Sequence, residues 1–133
     1  MKVAVIGQGY VGLTVGLYAA NENQVIGFDL NEKLVNYLNS GYSHVEGLDK
    51  SLLEKGLKSG NYKATNDPSL IDGADVVVIA VPTPLTKDRK PDLTFIKSAC
   101  NTIAEYLNND ALIINESTSY PGTVREFIKP EIE

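Results

Sequence analysis

The sequence predicts a doubly wound α/β fold, with five parallel strands in one sheet and helices on both faces. Apolar runs of strand length alternate with helical patterns along the whole chain. The run Val76-Val77-Val78-Ile79-Ala80-Val81 is apolar at consecutive positions, as a parallel strand covered on both faces must be. The first strand, Lys2-Val3-Ala4-Val5-Ile6, leads straight into Gly7-Gln8-Gly9-Tyr10-Val11-Gly12.

That glycine spacing, after a strand and before a helix, makes the opening segment a β-α-β unit of the Rossmann type. Gly7 lets the chain turn sharply out of the strand, Gly9 leaves no Cβ between backbone and a pyrophosphate, and Gly12 lets the helix lie close on the strand. The helix spans residues near 10–21, with Gly16 one turn beyond Gly12 and Asn21-Glu22-Asn23 closing it. Its unpaired N-terminal N–H groups and dipole favour an anion, by about 0.3–1 kcal/mol when exposed. The second strand, Val25-Ile26-Gly27-Phe28, ends at Asp29, 22 positions after Gly7. A carboxylate there accepts hydrogen bonds from the adenosine ribose hydroxyls, whereas the 2′-phosphate of NADP would meet it as a like charge. NAD is therefore the expected cofactor.

Helices are expected near residues 31–39 and 49–58, a third strand near 62–65, and a short helix near 68–72 opened by Asp67 as N-cap and Pro68 as first residue. After the fourth strand, near 76–81, Asp92 is expected to cap a long helix over 92–108. Ile96, Ala99, Cys100, Ile103 and Leu107 share one stripe of that helix, which makes Cys100 a core residue rather than a nucleophile. A fifth strand near 111–115 and a last helix near 121–129 complete the unit, one domain over residues 1–133. Ligands in open α/β sheets bind at the carboxyl edge of the strands, so Val81-Pro82-Thr83-Pro84-Leu85 and Glu116-Ser117-Thr118-Ser119-Tyr120 are expected to face the cofactor. Both are also ordinary turn sequences, rich in Pro, Ser and Thr. His44 has no Ser, Cys or Asp partner in register and is expected at the surface or beside a substrate.

Composition narrows the function classes. A net charge of -5 and scattered Lys and Arg leave no basic surface for nucleic acid or acidic lipid. No apolar stretch reaches membrane-span length, and Met1-Lys2-Val3 begins a strand instead of a signal peptide, so a cytoplasmic protein is expected. One cysteine and one histidine leave no internal disulfide and little for a metal site.

Several further signatures fall in order: Val35, Leu38, Asn39 and Gly41 after Asp29, then Val81-Pro82-Thr83-Pro84, Pro91-Asp92-Leu93, Glu116-Ser117-Thr118 and Pro121-Gly122-Thr123. With the glycine motif they resemble, end to end, the N-terminal domain of the UDP-glucose/GDP-mannose 6-dehydrogenase family. The resemblance implies an enzyme that oxidises the C6 alcohol of a nucleotide sugar to a carboxylate with two NAD in succession. It implies covalent catalysis by a cysteine in a later segment. The assisting residues, the central dimerising helix and the nucleotide-sugar domain also lie beyond this stretch. The chain would then be the cofactor half of a homodimeric enzyme, by itself inactive and either a monomer or weakly, non-natively associated.

Residue by residue, the resemblance places Gly7, Gly9, Tyr10, Val11 and Gly12 on the pyrophosphate, Asp29 on the adenosine ribose, and Val81, Pro82 and Thr83 along the cofactor. It makes Thr118 both a cofactor contact and the residue that positions the catalytic water. Where the family often has a basic residue five positions after the aspartate, this chain has Leu34, with Lys33 adjacent as the substitute. Ser43-His44-Val45-Glu46-Gly47-Leu48 stands where UDP-glucose enzymes carry Glu-Pro-Gly-Leu, and the segment from Glu116 to Thr123 looks more like the UDP-N-acetylhexosamine branch. UDP-N-acetylglucosamine or UDP-N-acetylmannosamine is the implied sugar, for polysaccharide synthesis. The rival readings are a hydroxyacid dehydrogenase on the same Rossmann start, a non-catalytic NAD-binding module, and a methyltransferase.

Overall fold

The computed structural model describes residues 1–133. Five strands, β1 (Lys2–Ile6), β2 (Gln24–Phe28), β3 (Tyr62–Thr65), β4 (Val76–Ile79) and β5 (Leu112–Asn115), form one parallel sheet in the order β3-β2-β1-β4-β5. The chain steps outward from β1 to β3 and then returns to the other side of β1, so the direction of winding reverses between β1 and β4. That reversal opens a crevice at the carboxyl edge of the sheet. Register brings the site residues to one level there: Ile6 pairs with Phe28 on one side and Ile79 on the other. Gly7, Asp29 and Ala80 therefore leave the sheet side by side.

The helices are α1 (Tyr10–Ala19), α2 (Glu32–Asn39), α3 (Lys50–Ser59), α4 (Thr94–Tyr106) and α5 (Lys129–Ile132). Alternation along β1 sends Val3 and Val5 into one core, with Leu13, Leu17, Leu38 and Leu53 of the first three helices. Ala4 and Ile6 enter the other, with Ile96, Cys100 and Ile103 of α4 and Ile128 before α5. Asn31 caps α2 by accepting the Leu34 N–H, and Asp49 caps α3 by accepting that of Ser51. The outer edge of β3 is closed by a side chain: Asn39 accepts the Ala64 N–H at 3.0 Å and donates to its carbonyl at 2.8 Å.

Three expected elements differ. Asp67 does accept the Ser69 N–H, but the segment it opens, Pro68–Ile71, is a single 3-10 turn. Asp92 spends its carboxylate on the Thr94 N–H and hydroxyl, so Leu93 becomes the N-cap and α4 starts at Thr94 instead of residue 92. The last helix starts at Val124, not 121, because Gly122 adopts φ +93° and the Thr123 hydroxyl bonds back to the Tyr120 carbonyl. Its first turns, Val124–Ile128, are wound as a π-helix.

Candidate functional site

Between β1 and α1 the backbone turns at Gly7, whose φ of +94° suits glycine, and a Cβ there would lie 2.6 Å from the Ala80 carbonyl oxygen. A Cβ on Gly12 would collide with the Gly7 carbonyl oxygen, which is how closely α1 is drawn onto the loop. Gly9 is different. A Cβ on it would meet nothing within 4 Å, so the absent side chain keeps open space clear rather than relieving a contact within the chain. Gly9 is also the N-cap of α1 and offers no side-chain acceptor; the first bond of the helix runs from Leu13 N–H to its carbonyl. The N–H groups of the first turn are thus left for an anion from outside.

Asp29 stands beside this loop. Its Oδ2 accepts the Gln8 N–H at 2.8 Å and its Oδ1 the Asn31 N–H at 2.9 Å. Both oxygens are oriented by backbone donors and keep lone pairs for further donors. A cleft of about 520 Å³ runs from this carboxylate past Gly7, Gly9, Tyr10 and Val11 to Thr83 and Thr118. Tyr10, 72 % exposed, and Val11 stand at its mouth with apolar surface uncovered by the chain. His44 is exposed and lines the same cleft. Lys33 does not: it is exposed on α2, and Leu34 occupies the cleft wall at that point. Consecutive residues on α2 point about 100° apart, so Lys33, which the resemblance offers as the substitute, does not share the face of Leu34.

A second, more apolar recess of about 200 Å³ adjoins it, sharing Gly7, Asp29, Val81 and Pro82 and closed by Phe28 and Phe95. Its contribution from α4, Phe95, Ser98 and Thr102, carries no local sequence signal. A flat, mostly apolar ring fits such a recess, while a ribose at Asp29 and a diphosphate on the α1 N-terminus fit the polar cleft beside it. The residues present therefore suit a dinucleotide.

The loops after β4 and β5 are joined by Ser117. Its hydroxyl oxygen accepts the Val81 N–H at 2.9 Å and donates to the Val81 carbonyl at 2.9 Å. The Asn115 side chain holds the Ser117 backbone on both sides, at 3.2 and 3.3 Å. This tether presents Thr83 and Thr118 on the same wall of the cleft. Cys100 lies on the far side of α4, fully buried, and burial pushes its thiol up to about 11, with the Glu131 charge adding to it. It is a core residue, as its helical stripe predicted.

Residues 1–133 match the family described as the UDP-glucose/GDP-mannose dehydrogenase family, NAD binding domain. The chain is 41 % identical over 132 residues to the UDP-N-acetyl-D-mannosamine dehydrogenase of Campylobacter jejuni, covering 96 % of this chain and 31 % of that protein. To protein CapL of Staphylococcus aureus it is 37 % identical over 132 residues, covering 99 % of this chain and 30 % of the relative. The solved UDP-D-ManNAc dehydrogenase of Pyrococcus horikoshii superposes with a TM-score of 0.92 at 34 % identity, over 99 % of this chain and 32 % of that one. The chain thus spans less than a third of the length of these relatives.

Proposed function

The chain belongs to the UDP-glucose/GDP-mannose dehydrogenase family, as an NAD-binding domain, and from that premise we propose that it is the cofactor-holding part of a cytoplasmic nucleotide-sugar 6-dehydrogenase. The proposed substrate is a UDP-N-acetylhexosamine, oxidised at C6 from alcohol to carboxylate. The observation that carries the reading is the Asp29 carboxylate, oriented by the Gln8 and Asn31 N–H groups at the edge of a cleft that the α1 N-terminus also lines. NAD, when bound, accepts the hydride in each of two successive oxidations.

The chain's own residues bind and orient. Asp29 takes the adenosine ribose hydroxyls, the first turn of α1 from Tyr10 takes the diphosphate, and Val81, Pro82 and Thr83 flank the cofactor near its central part. Thr118, in the same cleft, is proposed to hold a water for the hydrolytic step by its hydroxyl. The thiol nucleophile is not Cys100, which is buried in α4 and held protonated. Residues 1–133 by themselves are therefore proposed to bind NAD without turnover, and the parent enzyme to act as a homodimer.

The test is to exchange residues 1–133 into the Campylobacter jejuni relative in place of its matching segment and to supply UDP-N-acetylmannosamine with NAD. Two NADH per sugar are expected, and a folded, NAD-binding exchange without turnover would contradict the proposal. The sugar assignment is tested on the parent enzyme, which should oxidise UDP-N-acetylmannosamine in preference to UDP-glucose; the reverse preference would overturn it.

A further inference from the structure

Gln8 stands between two glycines of the phosphate loop, yet its side chain is fully buried. Its Nε2 donates to the Val5 carbonyl at 3.1 Å and the Gly7 carbonyl at 3.0 Å, and its Oε1 accepts the Tyr62 hydroxyl at 2.7 Å. Tyr62 opens β3, 54 positions away, and is itself buried. Space for the pair comes from a third element: a Cβ on Gly27 of β2 would fall 2.6 Å from the Gln8 Cδ and 2.8 Å from the Tyr62 hydroxyl. Burial, and then the charge of Asp29, push the Tyr62 phenol well above its ordinary value, so the hydroxyl stays a donor.

The geometry converges on one peptide plane, the Gly7–Gln8 unit. Its carbonyl oxygen receives the Gln8 side-chain amide at 3.0 Å, and its N–H is the one that orients Asp29 at 2.8 Å. Only the Tyr62 hydroxyl bonds the Gln8 Oε1 and fixes which way that amide faces. We propose that Tyr62 is a positioning residue for the cofactor site, acting through the Gln8 side chain to set the Gly7–Gln8 peptide and with it the direction of the Asp29 carboxylate. The inference rests on the NAD reading of the cleft and extends it to a residue on an edge strand that never touches the ligand. Without the hydroxyl, Oε1 is orphaned, the amide turns to seek another donor, and the peptide loses the bond that holds its carbonyl.

The test is calorimetric titration of the chain with NAD for Tyr62→Phe, Gln8→Leu and the double variant, with Ile103→Val in the opposite core as a stability control. Tyr62→Phe should weaken NAD about tenfold, but by less than about twofold in the Gln8→Leu background, because the residue acts only through that amide. The Gln8 backbone amide resonance should move in Tyr62→Phe and stay in Ile103→Val, whose affinity remains within about twofold. Equal weakening in both backgrounds, or NAD affinity unaltered by Tyr62→Phe, overturns the proposal. If Tyr62→Phe does not fold, hydrogen exchange on the unsubstituted chain decides: NAD should slow exchange of the Gln8 side-chain amide protons, and unaltered exchange overturns it. Failure of the unsubstituted chain to bind NAD would instead remove the cofactor reading on which the inference stands.

Discussion

On one side of the cleft, β1, α1 and β2 hold the phosphate loop by close backbone packing, so tight that Gly12 has no room for a Cβ beside the Gly7 carbonyl, with the buried Gln8–Tyr62 pair beneath it. On the other side, the loops after β4 and β5 are held to each other through one hydroxyl, that of Ser117, and the Asn115 side chain behind it. The first wall is shaped before any ligand arrives, because moving it means breaking strand and helix contacts. The second is held by side-chain bonds, which can yield without a strand or helix contact breaking.

The packed wall is most sensitive at Gly12. Gly12→Ala forces α1 away from Gly7, and a loss of about 3 kcal/mol or more in urea unfolding is expected. Gly9→Ala, three residues earlier, meets nothing in the chain and should leave stability within about 0.5–1 kcal/mol while weakening NAD about tenfold. Equal stability losses at the two glycines would erase the distinction between packing and ligand clearance. Ser117→Ala probes the other wall: it orphans the half-buried Val81 N–H, should cost about 1–2 kcal/mol, and should weaken NAD only a few-fold, since the phosphate loop is untouched.

At neutral pH the smallest effect is expected from the titration of Cys100, which lies wholly above it. Its folded value is raised from 9.0 to about 11, so the fold favours the neutral thiol. That contribution is fully present below about pH 9 and is lost as pH rises toward 11. Below pH 9 the thiol should react with a disulfide reagent only as fast as the chain opens, and Cys100→Ala should flatten the alkaline limb of the stability curve.

The well-packed wall is also the one that was legible from residues in order. The run from Lys2 to Gly12 and Asp29 encodes its turn, helix and acceptor at fixed local spacing, and all appear at the expected positions. The stripe of α4 placed Cys100 correctly for the same reason. Local reading failed where a side chain had two choices of backbone partner, as at Asp92, or where a turn competed with the helix start, as at Gly122 and Thr123. It named Ser117 and Asn39 without their bonds and missed the Gln8–Tyr62 pair, because the partners lie 25 to 54 positions away and only the sheet order brings them together.

A preformed wall with Asp29 oriented at its edge should select NAD over NADP. Calorimetric titration with the two cofactors, on the chain and on Asp29→Ala, measures that selection. NAD should bind with NADP disfavoured by at least about tenfold, and the variant should lose NAD affinity by a similar factor while the preference collapses, since hydrogen bonds to a charged acceptor contribute about 1.5–3 kcal/mol. Equal binding of the two cofactors by the unsubstituted chain, or a preference that survives in Asp29→Ala, would contradict it.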